Sequence, residues 1–281
     1  MFDKNLIRDH WAIPQDDYLT KIKSDWFNSS QKITPATDSI NILNEWFKST
    51  KLNTLHNWDK LDYVDITMGC AHYIESFIIG QGGIDNFQVL NDEYAYYSFL
   101  GKWGTPLEEL KPNLPLIVTL PHWKWGGIRP EWDDVLKICE ERNIEIHIDM
   151  AWLSLSRGIE IDLGHPNIRS IGVGLSKIGG PWNRVGLRYT KQRRMDSITI
   201  FNKFYTSPVN DNLYSCGAYI AQNVERDYSW NANGNLNSEI CRHFGYEPTN
   251  LIHGVKDKSN NKVLCITGLL NLGAGQTPHK E

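Results

Sequence analysis

One stretch in the second half of the chain constrains the fold most, because it alternates apolar runs with isolated charged residues. Residues 144–148 alternate in polarity and are rich in β-branched side chains, which predicts a buried strand that ends at Asp149. A second strand-like run, residues 168–173, is followed four residues later by Lys177 in a glycine-rich turn. Arg184 then precedes a third apolar run. The pattern therefore predicts one carboxylate and two cations at the ends of strands.

These charged residues and their neighbours resemble the fold-type-I pyridoxal-phosphate (PLP) enzymes, the aminotransferase superfamily. In that family an Asp-x-Ala-aromatic element ends a strand, and the segment from Asp149 to Trp152 matches it. A Ser-Lys pair follows on a turn, matched by Ser176 and Lys177, and an arginine comes shortly after, matched by Arg184. The resemblance implies that Asp149 pairs with the pyridinium nitrogen, that Lys177 carries the cofactor as a Schiff base beside Ser176, and that Arg184 binds the phosphate. The interval from Lys177 to Arg184 is seven residues, one fewer than in the commonest family pattern.

The chemistry explains why these residue types are needed. A lysine must be neutral to attack an aldehyde, and desolvation beside other cations favours the neutral amine. A buried carboxylate keeps the ring nitrogen protonated, and a guanidinium offers a phosphate two parallel donors. Taken singly, an aspartate after a strand is more often a cap or turn residue, and a lysine in a glycine-rich turn is usually solvated. The ordered set of three predicts a PLP site with Lys177 and Asp149 as catalytic residues.

A strand followed by a glycine and a helix predicts where the phosphate binds. Residues 63–68 read as a short buried strand, and a helical pattern opens at Gly69. Backbone N–H groups at a helix N-terminus attract anions, helped by the helix dipole. The resemblance therefore assigns phosphate contacts to the backbone of Gly69, Cys70 and Ala71, although such a junction is ordinary in any α/β protein. His72 is either a surface histidine or a group near the cofactor ring.

Three aromatic residues stand where the family places groups around the cofactor ring. Tyr94 takes the position of an aromatic residue that stacks on the ring, with Asp92 in place of the family's proline; the alternative is that Tyr94 packs as a core aromatic residue. Trp123 and Trp152 take the positions of an asparagine and a tyrosine that contact the cofactor's phenolic oxygen. An indole N–H donates but cannot accept, so the resemblance implies a different tuning of the lysine pKa.

Strands alternate with helices from residue 63 onward. The predicted helix 130–142 joins two predicted strands, 114–120 and 144–148, which favours a parallel crossover. We therefore predict an α/β fold with three layers, a mainly parallel sheet covered by helices, of the PLP-dependent transferase type. In such sheets ligands bind at the carboxyl ends of the strands. Further strands are predicted at 87–90, 185–187 and 262–267, and further helices at 39–50 (N-cap Asp38 or Ser39), 191–205, 212–226 and 238–244.

The length of 281 residues and a hydrophobic content of 41% allow one large core and a small appendage. We predict an N-terminal arm and helix at 1–50, a PLP-binding large domain at 51–205 and a reduced C-terminal small domain at 206–281. Family members usually carry an arginine in the small domain that binds the substrate carboxylate. The last predicted strand here contains no arginine.

The substrate is therefore expected to be atypical. A buried carboxylate without a partner costs several kcal/mol, so either another arginine has been recruited or the substrate is an amine recognised by indoles. The arginines without a family match are Arg188, Arg193, Arg194 and Arg242, and the indoles are those of Trp123, Trp125 and Trp152. The predicted function is a PLP-dependent aminotransferase acting on an amino acid or amine. The alternatives are a PLP-dependent lyase or other carbanion chemistry, and a non-catalytic PLP-fold binding protein.

Composition argues against several other classes of protein. A net charge of −4 and a pI near 6.1 give no basic surface for nucleic acid or anionic membrane. No signal peptide or long apolar span is evident, and the five cysteines form no Cys-x-x-Cys pair, which favours the cytoplasm. The motifs of a P-loop, a dinucleotide-binding loop and a zinc site are absent, so no metal is expected. The tryptophan-rich arm, residues 1–38, together with the family's shared sites predicts a homodimer.

Overall fold

The computed structural model describes residues 2–11, 16–28, 34–178, 184–204 and 208–274. Short strands and helices follow one another through these ranges. The strands are β1 (Thr54–His56), β2 (Tyr63–Thr67), β3 (Leu116–Thr119), β4 (Ile146–Asp149), β5 (Glu160–Asp162), β6 (Ile168–Gly174), β7 (Gly186–Thr190), β8 (Glu247–Pro248), β9 (Gly254–Asp257) and β10 (Lys262–Cys265). The α-helices are α1 (Asp17–Asn28), α2 (Ala36–Lys48), α3 (Gly69–Gly80), α4 (Tyr96–Phe99), α5 (Trp132–Glu141), α6 (Ser197–Phe204), α7 (Pro208–Asn223), α8 (Tyr228–Phe244) and α9 (Thr267–Ala274). Single turns of 3-10 helix lie at Lys4–Leu6, Trp58–Lys60, Ile84–Asn86, Leu107–Glu109, Trp123–Trp125 and Leu153–Leu155.

The central sheet has five strands in the order β2-β7-β6-β4-β3. Strands β3, β4 and β6 are parallel to one another, and β7 is antiparallel to both of its neighbours, β6 and β2. Four strands therefore run in one direction and β7 runs against them. This topology confirms the predicted α/β fold with a mainly parallel sheet.

The sheet has an apolar layer on each face, because successive side chains of a strand point to opposite sides. In β3, Leu116 and Val118 belong to the larger core cluster, which also contains residues of α2 and α5. Ile117 belongs to a separate cluster with Tyr73 and Phe77 of α3. Helices therefore cover both faces, and the fold has three layers.

The predicted crossover places the candidate site at one edge of the sheet. Helix α5 connects β3 to β4, and the two strands pair in parallel. Their register puts Thr119 opposite Asp149, and β6 puts Gly172 on the other side of Asp149. Asp149 thus lies at the carboxyl end of its strand, as predicted.

Some predicted boundaries were wrong. Helix α2 begins at Ala36, with Pro35 at the N-cap, and not at Asp38 or Ser39. The fixed φ of proline suits the start of a helix, and its missing N–H costs no helical hydrogen bond there. The prediction considered only polar N-cap residues and therefore missed Pro35. The expected strand at 87–90 makes only two isolated parallel bridges, from Gln88 to Leu116 and from Leu90 to Thr105.

Three C-terminal helices also begin at other residues than predicted. Helices α6, α7 and α8 start at Ser197, Pro208 and Tyr228. For α6 the reason is visible: the carboxylate of Asp196 accepts the N–H of Thr199 at 3.1 Å, which caps the helix there.

Two smaller sheets lie outside the central one. Strands β1 and β5 pair in parallel, and β8, β9 and β10 form an antiparallel sheet. The N-terminal segment joins the latter region through a bridge between Arg8 and Cys265. The domain boundaries at residues 50 and 205 remain predictions. Within the described ranges, no helix combines the length and the apolar character that a membrane crossing requires.

A buried ion-pair network fastens β7 to its surroundings. Arg188, 3% exposed, donates to Asp65 of β2 at 2.6 Å and to Thr199 at 3.0 Å, and it pairs with Asp196. Burial raises the pKa of Asp196, but hydrogen bonding and the charge of Arg188 hold it below its ordinary value overall. A carboxyl with a lowered folded-state pKa stabilises the fold above its unfolded pKa, and that contribution is lost as the pH falls through the folded value.

Replacing this arginine should therefore destabilise the protein strongly. Arg188→Met leaves two carboxylates without their cation, and we expect a loss of about 3–5 kcal/mol in the free energy of unfolding, measured by urea denaturation at neutral pH. Arg169→Met, which removes a half-exposed ion pair with Glu145, should cost less than about 1 kcal/mol. Equal losses in the two variants would contradict this account.

Candidate active site

The structure brings all nine predicted cofactor residues together around one cavity at the carboxyl edge of the sheet. Its lining consists of Gly69, Cys70, Ala71, Ile74, Tyr94, Tyr96, Thr119, Asp149, Ala151, Trp152, Ser176, Lys177 and Arg184. The cavity volume is about 70 Å³. Two lining residues, Tyr94 and Arg184, are exposed to solvent, so a larger ligand would extend out of the cavity on their side. Residues more than a hundred positions apart in the sequence thus meet at one point.

The start of α3 and Arg184 form one end of this cavity. Gly69 has a φ of 76°, a left-handed conformation that glycine adopts without strain. A Cβ atom built at Gly69 would lie 3.6 Å from the Cα atom of Arg184, so the two segments pass close to each other. Helix α3 has no side-chain hydrogen bond at its N-cap, Met68. Its first N–H groups and a guanidinium therefore approach the same region, as a phosphate requires.

Asp149 supplies a buried carboxylate at the floor of the cavity. Asp149 is 2% exposed, and its Oδ1 atom accepts a hydrogen bond from the N–H of Ala151 at 3.0 Å. Burial raises the pKa of Asp149 to about 6, while the neighbouring Cys70, the Ala151 N–H and the charge of Lys177 act in the opposite direction. At neutral pH the group is therefore mainly ionised but poorly solvated. Such a carboxylate suits a buried N–H cation as its partner.

Lys177 lines the same cavity as this carboxylate. Burial lowers the pKa of Lys177, the charges of Asp149 and Cys70 raise it, and Arg184 lowers it further; the net shift is downward. The Nζ atom lies 4.2 Å from the centroid of the Trp152 ring. A lowered pKa increases the fraction of neutral amine, which is the form that attacks a carbonyl carbon.

The remaining walls suit a flat ring. Tyr94 is 42% exposed, and its ring lies 5.9 Å from that of Tyr96 in a stacked arrangement. Ala151 adds a small apolar surface. The Oγ1 atom of Thr119 is buried in the lining, and no described residue forms a hydrogen bond with it. A buried hydroxyl without a partner is costly, so a polar atom of a ligand is a fitting partner for it.

Three residues near the site were not singled out from the sequence. Thr119 could have been found, because a parallel crossover aligns the end of β3 with Asp149. Glu93 accepts the N–H of Thr119 at 3.0 Å, and burial raises the pKa of Glu93 to about 7. His253 is 2% exposed with no hydrogen bond to either ring nitrogen from the described residues, and burial together with the charge of Lys177 lowers its pKa to about 3. The sequence around His253 carried no signal for this placement.

Tryptophans from distant segments pack around Trp152, which lies beside the lysine. The ring of Trp11 is 4.5 Å from that of Trp152, 6.2 Å from that of Trp123 and 6.4 Å from that of His253. Trp152 lines the cavity, whereas Trp123 lies next to Trp11. Trp125 packs against Lys124 and Arg129 instead. Of the three indoles predicted to recognise the substrate, Trp152 lines the cavity and Trp123 lies near it through Trp11, whereas Trp125 packs elsewhere. Recognition by these indoles remains a prediction.

Other predicted candidates lie elsewhere. His72 accepts the N–H of Met68 at 3.2 Å through Nδ1 and contacts Phe201, so it supports the start of α3. Arg188 and Arg194 line a larger cavity of about 560 Å³ between α3 and α6, and both are held in ion pairs. Among the described residues, no lysine lines that cavity. Of the arginines in the described ranges, only Arg184 lines the cavity with Lys177.

Comparison with known proteins identifies the fold. No family model matches the sequence, and no curated protein is similar to it in sequence. An aromatic amino acid aminotransferase from Burkholderia cenocepacia J2315 is similar in structure, with a TM-score of 0.60, 12% identity and coverage of 98% of this chain and 88% of that one. Tyrosine aminotransferase from Leishmania infantum gives a TM-score of 0.58, 13% identity and coverage of 94% and 86%.

A PLP-bound C-S lyase from Staphylococcus hominis is also similar, with a TM-score of 0.59, 10% identity and coverage of 87% of this chain and 74% of that one. The similarity extends over most of each chain, while the identity is too low to transfer an activity. The chain has the fold of the fold-type-I PLP-dependent enzymes, in a shortened and divergent form.

Proposed function

We propose that this chain binds pyridoxal 5'-phosphate and acts as a PLP-dependent enzyme on an amine or amino acid, with transamination as its reaction. The observation that supports this most is the convergence of Asp149, Lys177 and Arg184 on one cavity. When bound, the cofactor supplies an electrophilic aldehyde and a ring that withdraws electrons from the carbon next to the substrate nitrogen.

The residues of the chain have separate tasks in this proposal. The N–H groups of Gly69, Cys70 and Ala71 and the guanidinium of Arg184 hold the phosphate, and Ser176 lies beside them in the lining. Asp149 would hold the proton on the ring nitrogen, and Tyr94 would pack against the ring. Lys177 would hold the cofactor covalently through Nζ, and the same atom would move the proton at the substrate carbon. Trp152 packs on Lys177 and limits the access of water.

The experiment that tests this function uses the purified protein supplied with the cofactor. We expect a yellow protein whose visible spectrum changes on addition of an amine donor, and whose reaction with a 2-oxo acid gives a new amino acid, detected by mass spectrometry. Release of ammonia or of a thiol without a new amino acid would favour a lyase, the second candidate, which the structural similarity to a C-S lyase supports. Cofactor binding without any turnover would favour a binding protein.

The substrate side chain is proposed to be apolar or aromatic. The lining contains one arginine, Arg184, among the described residues, and the phosphate occupies it in this proposal. Trp152 packs on Lys177, Trp11 packs on Trp152, and Trp123 lies next to Trp11. The neutral His253 offers one donor and one acceptor that no described residue uses. Glutamate and aspartate are therefore expected to be poor substrates. Rapid conversion of either at sub-millimolar concentration would overturn this assignment.

Removing Trp11 tests the proposed recognition directly. We expect Trp11→Ala to raise the KM for an amine with an aromatic side chain by roughly tenfold, because an aromatic contact and its buried area are lost, while the cofactor stays bound. Trp103→Ala, which alters a side chain that is 73% exposed, is the matched control and should leave KM unchanged. Steady-state kinetics with both variants measures this. An unchanged KM in Trp11→Ala would remove the N-terminal arm from substrate recognition.

We also propose that the protein is a homodimer and lies in the cytoplasm. The five cysteines are free and buried, which is typical of a reducing compartment. The arm no longer argues for a dimer, because its described part packs on its own chain: Trp11 against Trp152, and Tyr18 against Tyr228. The expectation of a dimer now rests on the family resemblance alone. Light scattering at micromolar concentration is the test, and a monomer would contradict it.

A further inference from the structure

The residues just before Tyr94 are fastened to the connection between β3 and α5. The guanidinium of Arg129, a residue that is 4% exposed, donates through Nη2 to the carbonyl oxygen of Asn91 at 2.5 Å. The ammonium of Lys124 pairs with the carboxylate of Asp92 at 2.5 Å. Both side chains of this second pair are substantially exposed, so it contributes little to stability. The contacts on the inner side of the segment therefore matter most for the course of the backbone toward Tyr94.

Glu93 makes an inner contact of this kind, and it reaches the end of a strand. Its Oε2 atom accepts a hydrogen bond from the N–H of Thr119 at 3.0 Å. Burial raises the pKa of Glu93 to about 7, while the charge of Arg129 and hydrogen bonding by Thr119 and by the N–H of Tyr94 act in the opposite direction. A carboxyl whose folded-state pKa is raised costs stability as the pH rises toward that value, and the cost is complete above it. The charge of Glu93 therefore does not stabilise the fold at this place.

The strand end that Glu93 reaches lies beside Asp149. Thr119 and Asp149 are opposite each other in the register of β3 and β4. The N–H of Leu120, the next residue, donates to the carbonyl oxygen of Asp149 at 2.9 Å. Thr119 and Asp149 both line the cavity that contains Lys177. Through Thr119, Glu93 is thus connected to the strand end that carries the buried carboxylate.

Glu93 is also adjacent in the chain to the other group that would hold the cofactor ring. Tyr94 directly follows Glu93 and lines the same cavity as Asp149. Glu93 itself is not among the residues that line this cavity. A binding site of this kind needs its groups held at fixed separations, because a small displacement of a binding group costs affinity and rate. The hydrogen bond from Thr119 to Glu93 joins the segment of Tyr94 to the strand pair that ends at Asp149.

We propose that Glu93 is a positioning residue that sets the gap for the cofactor ring between Tyr94 and the end of β4. It acts through its hydrogen bond with Thr119 and does not contact the cofactor. The role depends on the length of the side chain and on its acceptor oxygen, and not on its charge. This inference rests on the proposed function, because it concerns the same cavity.

Three substitutions separate these properties. Glu93→Gln keeps the length and the acceptor without the charge, Glu93→Asp keeps the charge on a side chain that is one methylene shorter, and Glu93→Leu removes both. The dissociation constant for pyridoxal 5'-phosphate is measured by fluorescence titration of the purified full chain. We expect it to rise about tenfold in Glu93→Asp and in Glu93→Leu, as for the loss of one hydrogen bond, and to stay close to the wild-type value in Glu93→Gln. Lys124→Met is the matched control, since it removes an exposed contact to the same segment, and it should bind like the wild type.

Circular dichroism of the bound cofactor separates positioning from a general loss of stability. Measured in the visible band at saturating cofactor, the signal per bound cofactor reports how firmly the ring is held. We expect this signal to fall in Glu93→Asp and Glu93→Leu and to be unchanged in Glu93→Gln and Lys124→Met. A purely structural role would lower the stability of the cofactor-free protein and leave this signal as it is. If Glu93→Leu does not fold, Glu93→Asp gives the same test.

The outcomes distinguish this inference from the proposed function. A wild-type chain that binds no cofactor would refute the proposed function, and this inference with it. Cofactor binding by the wild type, with equal affinity and equal circular dichroism in Glu93→Asp, would overturn the role of Glu93 alone. A loss in Glu93→Gln as large as that in Glu93→Leu would also overturn it, because the charge and not the hydrogen bond would then be required.

Discussion

Lys177→Ala is expected to abolish covalent retention of the cofactor and to lower turnover by several orders of magnitude. Lys177 lines the cavity together with Asp149, and burial lowers the pKa of Lys177. Alanine removes both the nucleophile and the proton-transfer group, and losses of this kind in catalysis are large. The measurement is mass spectrometry of the denatured protein after incubation with the cofactor and reduction by borohydride.

The wild-type chain should then carry the mass of the reduced cofactor on the peptide that contains Lys177. Lys137→Ala is the matched control, because Lys137 is an exposed lysine on α5, and it should retain the adduct in full. Circular dichroism of Lys177→Ala should match the wild type, since only a side chain at a cavity wall is shortened. A reducible adduct that persists in a folded Lys177→Ala would assign the covalent bond to a different lysine.

The sequence predicted the floor of the site because a parallel sheet imposes a simple geometry. Residues that follow buried parallel strands meet at one edge, so Asp149 and the turn with Lys177 had to come together once the strands were recognised. Gly69 was assigned by the resemblance to the PLP family, at a strand–glycine–helix junction that is ordinary in α/β proteins. For this part of the site, periodicity predicted the strands and the resemblance assigned the residues.

The wall of tryptophans could not be predicted in the same way. Trp11 reaches Trp152 because the N-terminal segment packs along the C-terminal region, where Arg8 bridges Cys265. His253 joins them from a segment just before β9. Such contacts depend on how distant segments pack, and no spacing in the sequence encodes them. The sequence indicated an arm that packs on something but not which surface.

The expected strand at 87–90 pairs only at single positions. Gln88 pairs in parallel with Leu116 and Leu90 with Thr105, so the segment changes partner within three residues and forms no continuous ladder. Asp92, shortly afterwards, has a φ of 65°, which turns the chain away from an extended path. Apolar periodicity indicates which residues are buried, as Phe87 and Val89 are, but it does not determine how many consecutive residues pair with one neighbour.

Asp149→Asn should separate stability from function at this site. The pKa of Asp149 is raised to about 6, mainly by burial. A carboxyl whose folded-state pKa lies above its unfolded value destabilises the fold as the pH rises through that interval, and the cost is complete above the folded pKa. Asparagine has a similar shape, can still accept the Ala151 N–H and never ionises. The cofactor-free variant should therefore be more stable than the cofactor-free wild type at pH 8, by on the order of 2 kcal/mol, and equally stable near pH 4.

Activity should change in the opposite direction. An asparagine cannot hold the ring nitrogen protonated, so turnover of the protein supplied with cofactor should fall by about two orders of magnitude or more, while the bond to Lys177 still forms. The measurements are urea denaturation of the cofactor-free proteins at pH 4 and pH 8 and steady-state turnover at pH 8. Asp65→Asn is a control for the substitution itself, because Asp65 pairs with Arg188 away from the cavity, and it should lower stability at pH 8.

A gain in stability at pH 8 combined with a loss of turnover in Asp149→Asn would mean that the buried charge is retained for catalysis at a cost to the stability of the fold. A variant that is less stable at pH 8 and fully active would refute the role of Asp149 as the partner of the cofactor nitrogen.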